Sequence, residues 1–127
     1  MATASCDNIL NSDTGSFQSP NYPNKYGPGE CHYNINVTQG QVVILNWKSF
    51  DIGQDKKNGK CPGDSVWIYD GTVQTYNGIF ILCGQNKQSI TSSAHTLTIV
   101  FKSKTHGMFS GFSATYTTGK LNLKTSR

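Results

Sequence analysis

The chain has 127 residues, 35% of them hydrophobic and 14% charged, which is one domain's worth and enough to bury a core without a second module. Its net charge of +4 comes from ten lysines and Arg127 against six aspartates and Glu30, with no dense basic stripe, arginine forks or regularly spaced aromatics of the kind that bind nucleic acid. No apolar run approaches the ~20 residues of a membrane span.

Met1-Ala2-Thr3-Ala4-Ser5 lacks the apolar centre of a signal peptide, so residues 1–5 read as a leader on a mature or excised domain. Helical periodicity is absent, while period-two alternation recurs between turn signals, the pattern of an all-β chain. Tyr33, Ile35 and Val37 alternate with Asn34 and Asn36 before Gly40; Val43, Leu45 and Trp47 alternate with Ile44, Asn46 and Lys48 before Phe50-Asp51. These two strands are expected to face one core. Asn36-Val37-Thr38 is an N-glycosylation sequon, and the alternation turns Asn36 toward solvent.

Val66 and Ile68 continue the pattern before the Asp70-Gly71 turn, which leaves Trp67 and Tyr69 on the opposite face. That pair is a candidate aromatic platform for a sugar or a partner, or else packs under a loop or a second layer. Ile79-Phe80-Ile81-Leu82 is a short apolar run, Leu97, Ile99 and Phe101 alternate with Thr98 and Val100, and Phe112, Ala114 and Tyr116 close the series. With turns at Asn58-Gly59, Asp70-Gly71 and Asn77-Gly78, these short strands predict two antiparallel sheets packed face to face. Residues 119–127 read as a linker, a tail or an extension of the last strand.

Four cysteines without a Cys-x-x-Cys spacing, in a chain rich in Gly, Asn and Ser, point to two disulfides of an oxidising compartment and away from zinc. Spacing alone leaves all three pairings open. Catalytic signatures are missing: His32, His95 and His106 fall in different predicted segments, Ser93 lies near His95 only within a strand entry, and the chain has no Gly-x-Ser-x-Gly elbow, His-Glu-x-x-His helix or glycine-rich phosphate loop. No enzyme activity is expected.

The run Cys61-Pro62-Gly63-Asp64-Ser65-Val66-Trp67-Ile68-Tyr69-Asp70-Gly71, followed by Cys83-Gly84, resembles the signature of a CUB domain. Upstream, Cys6 and Cys31 bracket Ser19-Pro20-Asn21-Tyr22-Pro23-Asn24-Lys25-Tyr26; downstream come Ser92–Ser103 and Gly111-Phe112-Ser113-Ala114-Thr115-Tyr116, all in CUB order. The resemblance runs from Cys6 to about Thr117. It implies a CUB domain over residues 6–118, a jelly-roll-like β-sandwich, and the pairings Cys6–Cys31 and Cys61–Cys83. Each would close a loop of about 25 residues and contribute roughly 3 kcal/mol by restricting the unfolded chain.

The resemblance also implies a calcium site at one end of the sandwich, and there this sequence departs from the pattern. Tyr26 and Asp64 match it, but Gly53 stands where a Glu is expected and Lys104 where the last Asp is expected. Calcium takes six to eight oxygen ligands and depends on carboxylates, so the site is expected to be lost and neither metal nor cofactor is expected. Asp55, two residues beyond Gly53, is a conceivable stand-in for one carboxylate. An alternative is that Lys104 supplies the missing positive charge by pairing with Asp64, aided by the Tyr26 hydroxyl, a pair that if exposed is worth only ~0–1 kcal/mol.

Asp55-Lys56-Lys57-Asn58-Gly59-Lys60 is the densest basic segment, and the resemblance places it at the same end as Lys104, with His106 close by. Lys56, Lys57, Lys60 and Lys104 are therefore candidates for binding an acidic protein surface or a sulfated glycan, against the plainer reading of a solvated loop. The expected function is an extracellular, secreted, non-catalytic protein-interaction module that uses loops at one end of the sandwich. The alternatives are a carbohydrate-binding domain similar to the spermadhesins and an accessory module of a larger protease or receptor.

Overall fold

A computed structural model of the chain describes residues 4–85 and 87–121. In chain order the strands are β1 (Ala4–Leu10), β2 (Gly15–Gln18), β3 (Gly29–Asn36), β4 (Gln41–Asp51), β5 (Ser65–Tyr69), β6 (Ile79–Leu82), β7 (Ile90–Thr91), β8 (Thr96–Ser103) and β9 (Gly111–Lys120). No helix among the described residues is long and apolar enough to cross a membrane.

The strands form a five-stranded sheet in the order β1-β3-β8-β5-β6 and a four-stranded sheet in the order β2-β9-β4-β7. Neighbouring strands pair antiparallel, as expected, except that β1 runs parallel to β3. Alternation explains which side chains meet: Ile35, Val66, Ile68, Leu97, Ile99 and Phe101 from one sheet and Val43, Leu45, Ala114 and Tyr116 from the other are all buried in a single core. Phe112 sits at its centre, with the rings of Phe17, Tyr33, Trp47 and Phe101 all at centroid distances of 5.4–5.8 Å.

β8 is the central strand of its sheet, and Thr98 and Val100 are buried although they face away from the core. The register shows why: Val100 lies between His32 on β3 and Trp67 on β5, and Thr98 between Asn34 and Tyr69. Large neighbours on both sides close over small side chains.

The cysteines pair as Cys6–Cys31 and Cys61–Cys83. The first links directly opposed residues of the parallel β1–β3 pair, with Cα atoms 4.5 Å apart. The second ties the chain just past Lys60 to the residue after β6, with Cα atoms 5.9 Å apart. β9 continues through Lys120 opposite Gln41, so Gly119 and Lys120, placed by the sequence reading in the segment after the domain, belong to the sandwich. The rest of that segment beyond Leu121 lies outside the described residues.

Candidate functional site

Asp64 organises one end of the sandwich. It precedes β5 and is buried, with 2% of its surface exposed. A carboxylate removed from water needs donors to offset its lost hydration, and three reach it. The Tyr26 hydroxyl donates to Oδ2 at 2.7 Å, the main-chain N–H of Lys104 donates to Oδ1 at 2.7 Å, and the Thr105 hydroxyl donates to Oδ2. Tyr26 is itself held: its hydroxyl accepts from the N–H of Gly53 at 3.2 Å, and its ring packs edge-on against Phe101 at 4.9 Å. Burial, reinforced by the hydrogen bond to Asp64, raises the Tyr26 phenol far above its ordinary value. The loops after β2, β4 and β8 thus converge on one carboxylate.

The sequence reading placed Tyr26, Gly53, Asp64 and Lys104 together, and the structure does bring them together, but not by the expected chemistry. Lys104 reaches Asp64 through its main chain, not its ammonium, and its exposed side chain makes no ion pair among the described residues. An ammonium drawn inside would forfeit far more hydration than a peptide N–H does. Asp55 does not join the cluster; its carboxylate lies against Gly84. Thr105 was missed, although a hydroxyl residue directly after Lys104 was the available signal. Gly53 is required where it stands, because its φ is +61° and a Cβ there would lie 2.7 Å from the Asp64 carbonyl oxygen.

The basic segment is a tight hairpin built on the Asn58-Gly59 turn. Lys57 and Lys60 exchange main-chain hydrogen bonds at 2.8 and 3.0 Å across Asn58 and Gly59, whose φ values of 54° and 77° are those of a type I′ turn. Lys56 and Lys60 border a groove of about 320 Å³ that also contains Trp67 and Ile81. On the other side of Trp67, Lys102 and Lys104 border a second groove of about 380 Å³ with Glu30. Lys57 borders neither. His106 packs over Gly27 and lines neither groove.

Trp67 and Tyr69 are each half-buried. The Lys102 ammonium lies 4.1 Å from the Trp67 ring centroid, the Trp67 Nε1–H donates to the Ser65 hydroxyl at 2.8 Å, and Tyr69 packs edge-on against Tyr76. Asn36 is exposed at the end of β3, while Thr38 of its sequon gives both its N–H and its hydroxyl to Asp13. The three histidines stay apart: His32 pairs with Glu30 at 2.8 Å, His106 covers Gly27, and His95 lies at the entry to β8, where neighbouring Ser93 donates its N–H to Asp70. No group of nucleophile, base and oxyanion donors forms from them.

Residues 6–116 match the model of the CUB domain. The chain belongs to the CUB domain family. It is 32% identical over 113 residues to CUB and zona pellucida-like domain-containing protein 1 of Mus musculus, covering 88% of this chain and 18% of that protein. Its fold matches the MASP-1 CUB2 domain bound to Ca2+ with a TM-score of 0.74 at 31% identity, over 87% of this chain and 96% of that one. It also matches the full extracellular region of zebrafish Gpr126/Adgrg6, with a TM-score of 0.75 at 27% identity, over 92% of this chain and 15% of that one. The chain spans 3% to 19% of the length of the curated relatives it matches.

The Ca2+ in the related MASP-1 domain invites a test of fit here, and the residues of this CUB domain do not meet it. Asp64 already accepts from three protein donors, Gly53 brings no side-chain oxygen, and Lys104 brings a cation. Among the described residues no three His, Cys, Asp or Glu side chains converge as a ligand set, far short of the six to eight oxygens calcium takes. Three protein donors already compete with any cation for the roughly four acceptor positions of the Asp64 carboxylate.

Proposed function

We propose that this CUB domain is an extracellular, non-catalytic interaction module whose lysine-bearing end engages an acidic protein surface. Its supporting observation is the cationic frame around Trp67, with Lys56 and Lys60 on one side and Lys102 and Lys104 on the other, while the Asp64 carboxylate is turned inward and buried. An acidic surface meets like-signed lysines there and a half-buried indole between them. Such contacts steer encounter and set salt dependence more than they add affinity, since the Debye length is about 8 Å at physiological salt.

Heparin-affinity chromatography, with heparin as the polyanion probe, tests the charge of this end. Wild type should elute at higher salt than a folded Lys56→Glu/Lys57→Glu/Lys60→Glu variant, and later than from a simple cation exchanger. Equal elution of the two proteins rejects the reading and leaves a solvated hairpin.

A second reading, carbohydrate binding, draws on the same half-buried Trp67 beneath Lys102, since an indole face and nearby ammonium groups suit a sulfated sugar. Saturable, structurally selective binding on a glycan array, surviving moderate salt, would favour it. The small share of its relatives' length that the chain covers also accords with an accessory module of a longer protein, whose flanking sequence would identify the parent.

A further inference from the structure

β6 is an open sheet edge with an unusual composition. It ends the five-stranded sheet, and among the described residues no strand pairs with its outer side. Edge strands in soluble proteins are blunted by charge, proline or a covering element, because unpaired main-chain groups recruit other strands. β6 is short, four residues, but reads Ile-Phe-Ile-Leu, without charge or proline. Ile79 is 37% exposed and Phe80 42% exposed.

The pattern of side chains suits an added strand. Register places Ile79 beside Tyr69 and Ile81 beside Trp67 on the outer face of the sheet, while Phe80 and Leu82 lie on the core side beside Ile68 and Val66. The turn before β6 adds exposed Val73 and Tyr76, the latter against Tyr69. A strand laid along β6 would find an apolar strip on the outer face and, through Phe80, a further contact on the inner face.

Charge decides between a second copy and another partner. The Cys61–Cys83 bond staples the lysine hairpin to the end of β6, and Lys56 and Lys60 border the groove that contains Ile81. A second copy carries the same net charge of +4 and so repels the first overall. An extended acidic segment would instead place carboxylates against Lys56 and Lys60.

We infer that the outer edge of β6 is a strand-addition site for an extended peptide that pairs its main chain with residues 79–82, sets apolar side chains on the outer face beside Ile79 and Ile81, and carries acidic residues at the end nearest Lys56 and Lys60. Main-chain pairing would supply affinity, and the apolar strip with its lysine rim would supply selectivity. This surface is distinct from the Lys104 side of the cationic end.

The test uses the full chain and a short capped peptide of alternating valine and threonine that ends in glutamates, beside the same sequence N-methylated on alternate amides. The methylated control keeps charge and side chains but cannot pair. Amide exchange followed by NMR should slow several-fold at residues 79–82 with the first peptide and stay unchanged with the second. Lys56→Glu/Lys60→Glu should weaken peptide binding several-fold without altering exchange in the free protein. Equal effects of both peptides would show charge attraction alone, overturning strand addition while leaving the acidic-partner reading intact. No change at residues 79–82, or sedimentation of the free chain as a dimer that itself protects them, would also overturn the inference.

Discussion

Replacing Tyr26 by Phe isolates the polar work done at the Asp64 end. The ring contacts with Phe101 at 4.9 Å and Phe109 at 6.4 Å remain, so no large cavity forms. What is lost is the 2.7 Å bond to the Asp64 carboxylate and the acceptor for the Gly53 N–H. A hydrogen bond to a charged group contributes roughly 1.5–3 kcal/mol, and an orphaned buried donor costs about 1 kcal/mol or more. The expected loss is therefore about 2–4 kcal/mol, or roughly 8–15 °C in Tm for a domain of this size. Lys104→Met is the matched control. Its main-chain N–H still reaches Asp64, so it should cost less than about 0.5 kcal/mol. Urea titration followed by tryptophan fluorescence, at constant m-value, measures both. A Tyr26→Phe loss under about 1 kcal/mol, or a Lys104→Met loss as large as that of Tyr26→Phe, would refute a carboxylate held by neutral donors and restore the charge-pair account.

Alkaline pH should destabilise the domain: Tyr26, Tyr33 and Tyr116 are all raised from the ordinary value of 10.0 by burial, Tyr33 to about 12. Because the unfolded phenols lose protons first, their contribution to stability is complete below pH 10 and falls above it by up to about 1.4 kcal/mol per pH unit for each tyrosine; Tyr33→Phe should shallow that slope in pH-dependent urea titrations, and an unchanged slope would contradict it. Chelation should leave Tm unchanged and added calcium should not raise it, whereas a rise of several degrees by calorimetry would reveal a ligand set that the Asp64 donors conceal. Gly53→Glu with Lys104→Asp should fail to create a calcium site and should lower stability by about 1–3 kcal/mol, since the Glu Cβ would meet the Asp64 carbonyl oxygen at 2.7 Å from a φ of +61°; tight calcium binding by that variant would show that this loop end can rearrange.

Alternation identified the strands around Tyr33–Val37, Val43–Trp47, Val66–Ile68, Leu97–Phe101 and Phe112–Tyr116, because a period of two is written directly in the order of side chains, and Ile79–Leu82 was read as a short apolar run. The cysteine pairs and the meeting of Tyr26, Gly53, Asp64 and Lys104 followed from the CUB resemblance, whereas Thr105 did not. β1, β2 and β7 were not legible: they are short or irregularly patterned, and pairing to β3, β9 and β4 gives them their form. Sequence could name Lys104 but not which of its atoms would meet Asp64, since main-chain donors are common to every residue and only the folded loop aims one. Asn58-Gly59 marked a turn in the basic segment, but the main-chain pairing of Lys57 with Lys60 became visible only in the folded chain. The exposure of β6 likewise became visible only in three dimensions, because an apolar run reads the same at the centre of a sheet and at its edge, and neighbours on both sides decide which it is.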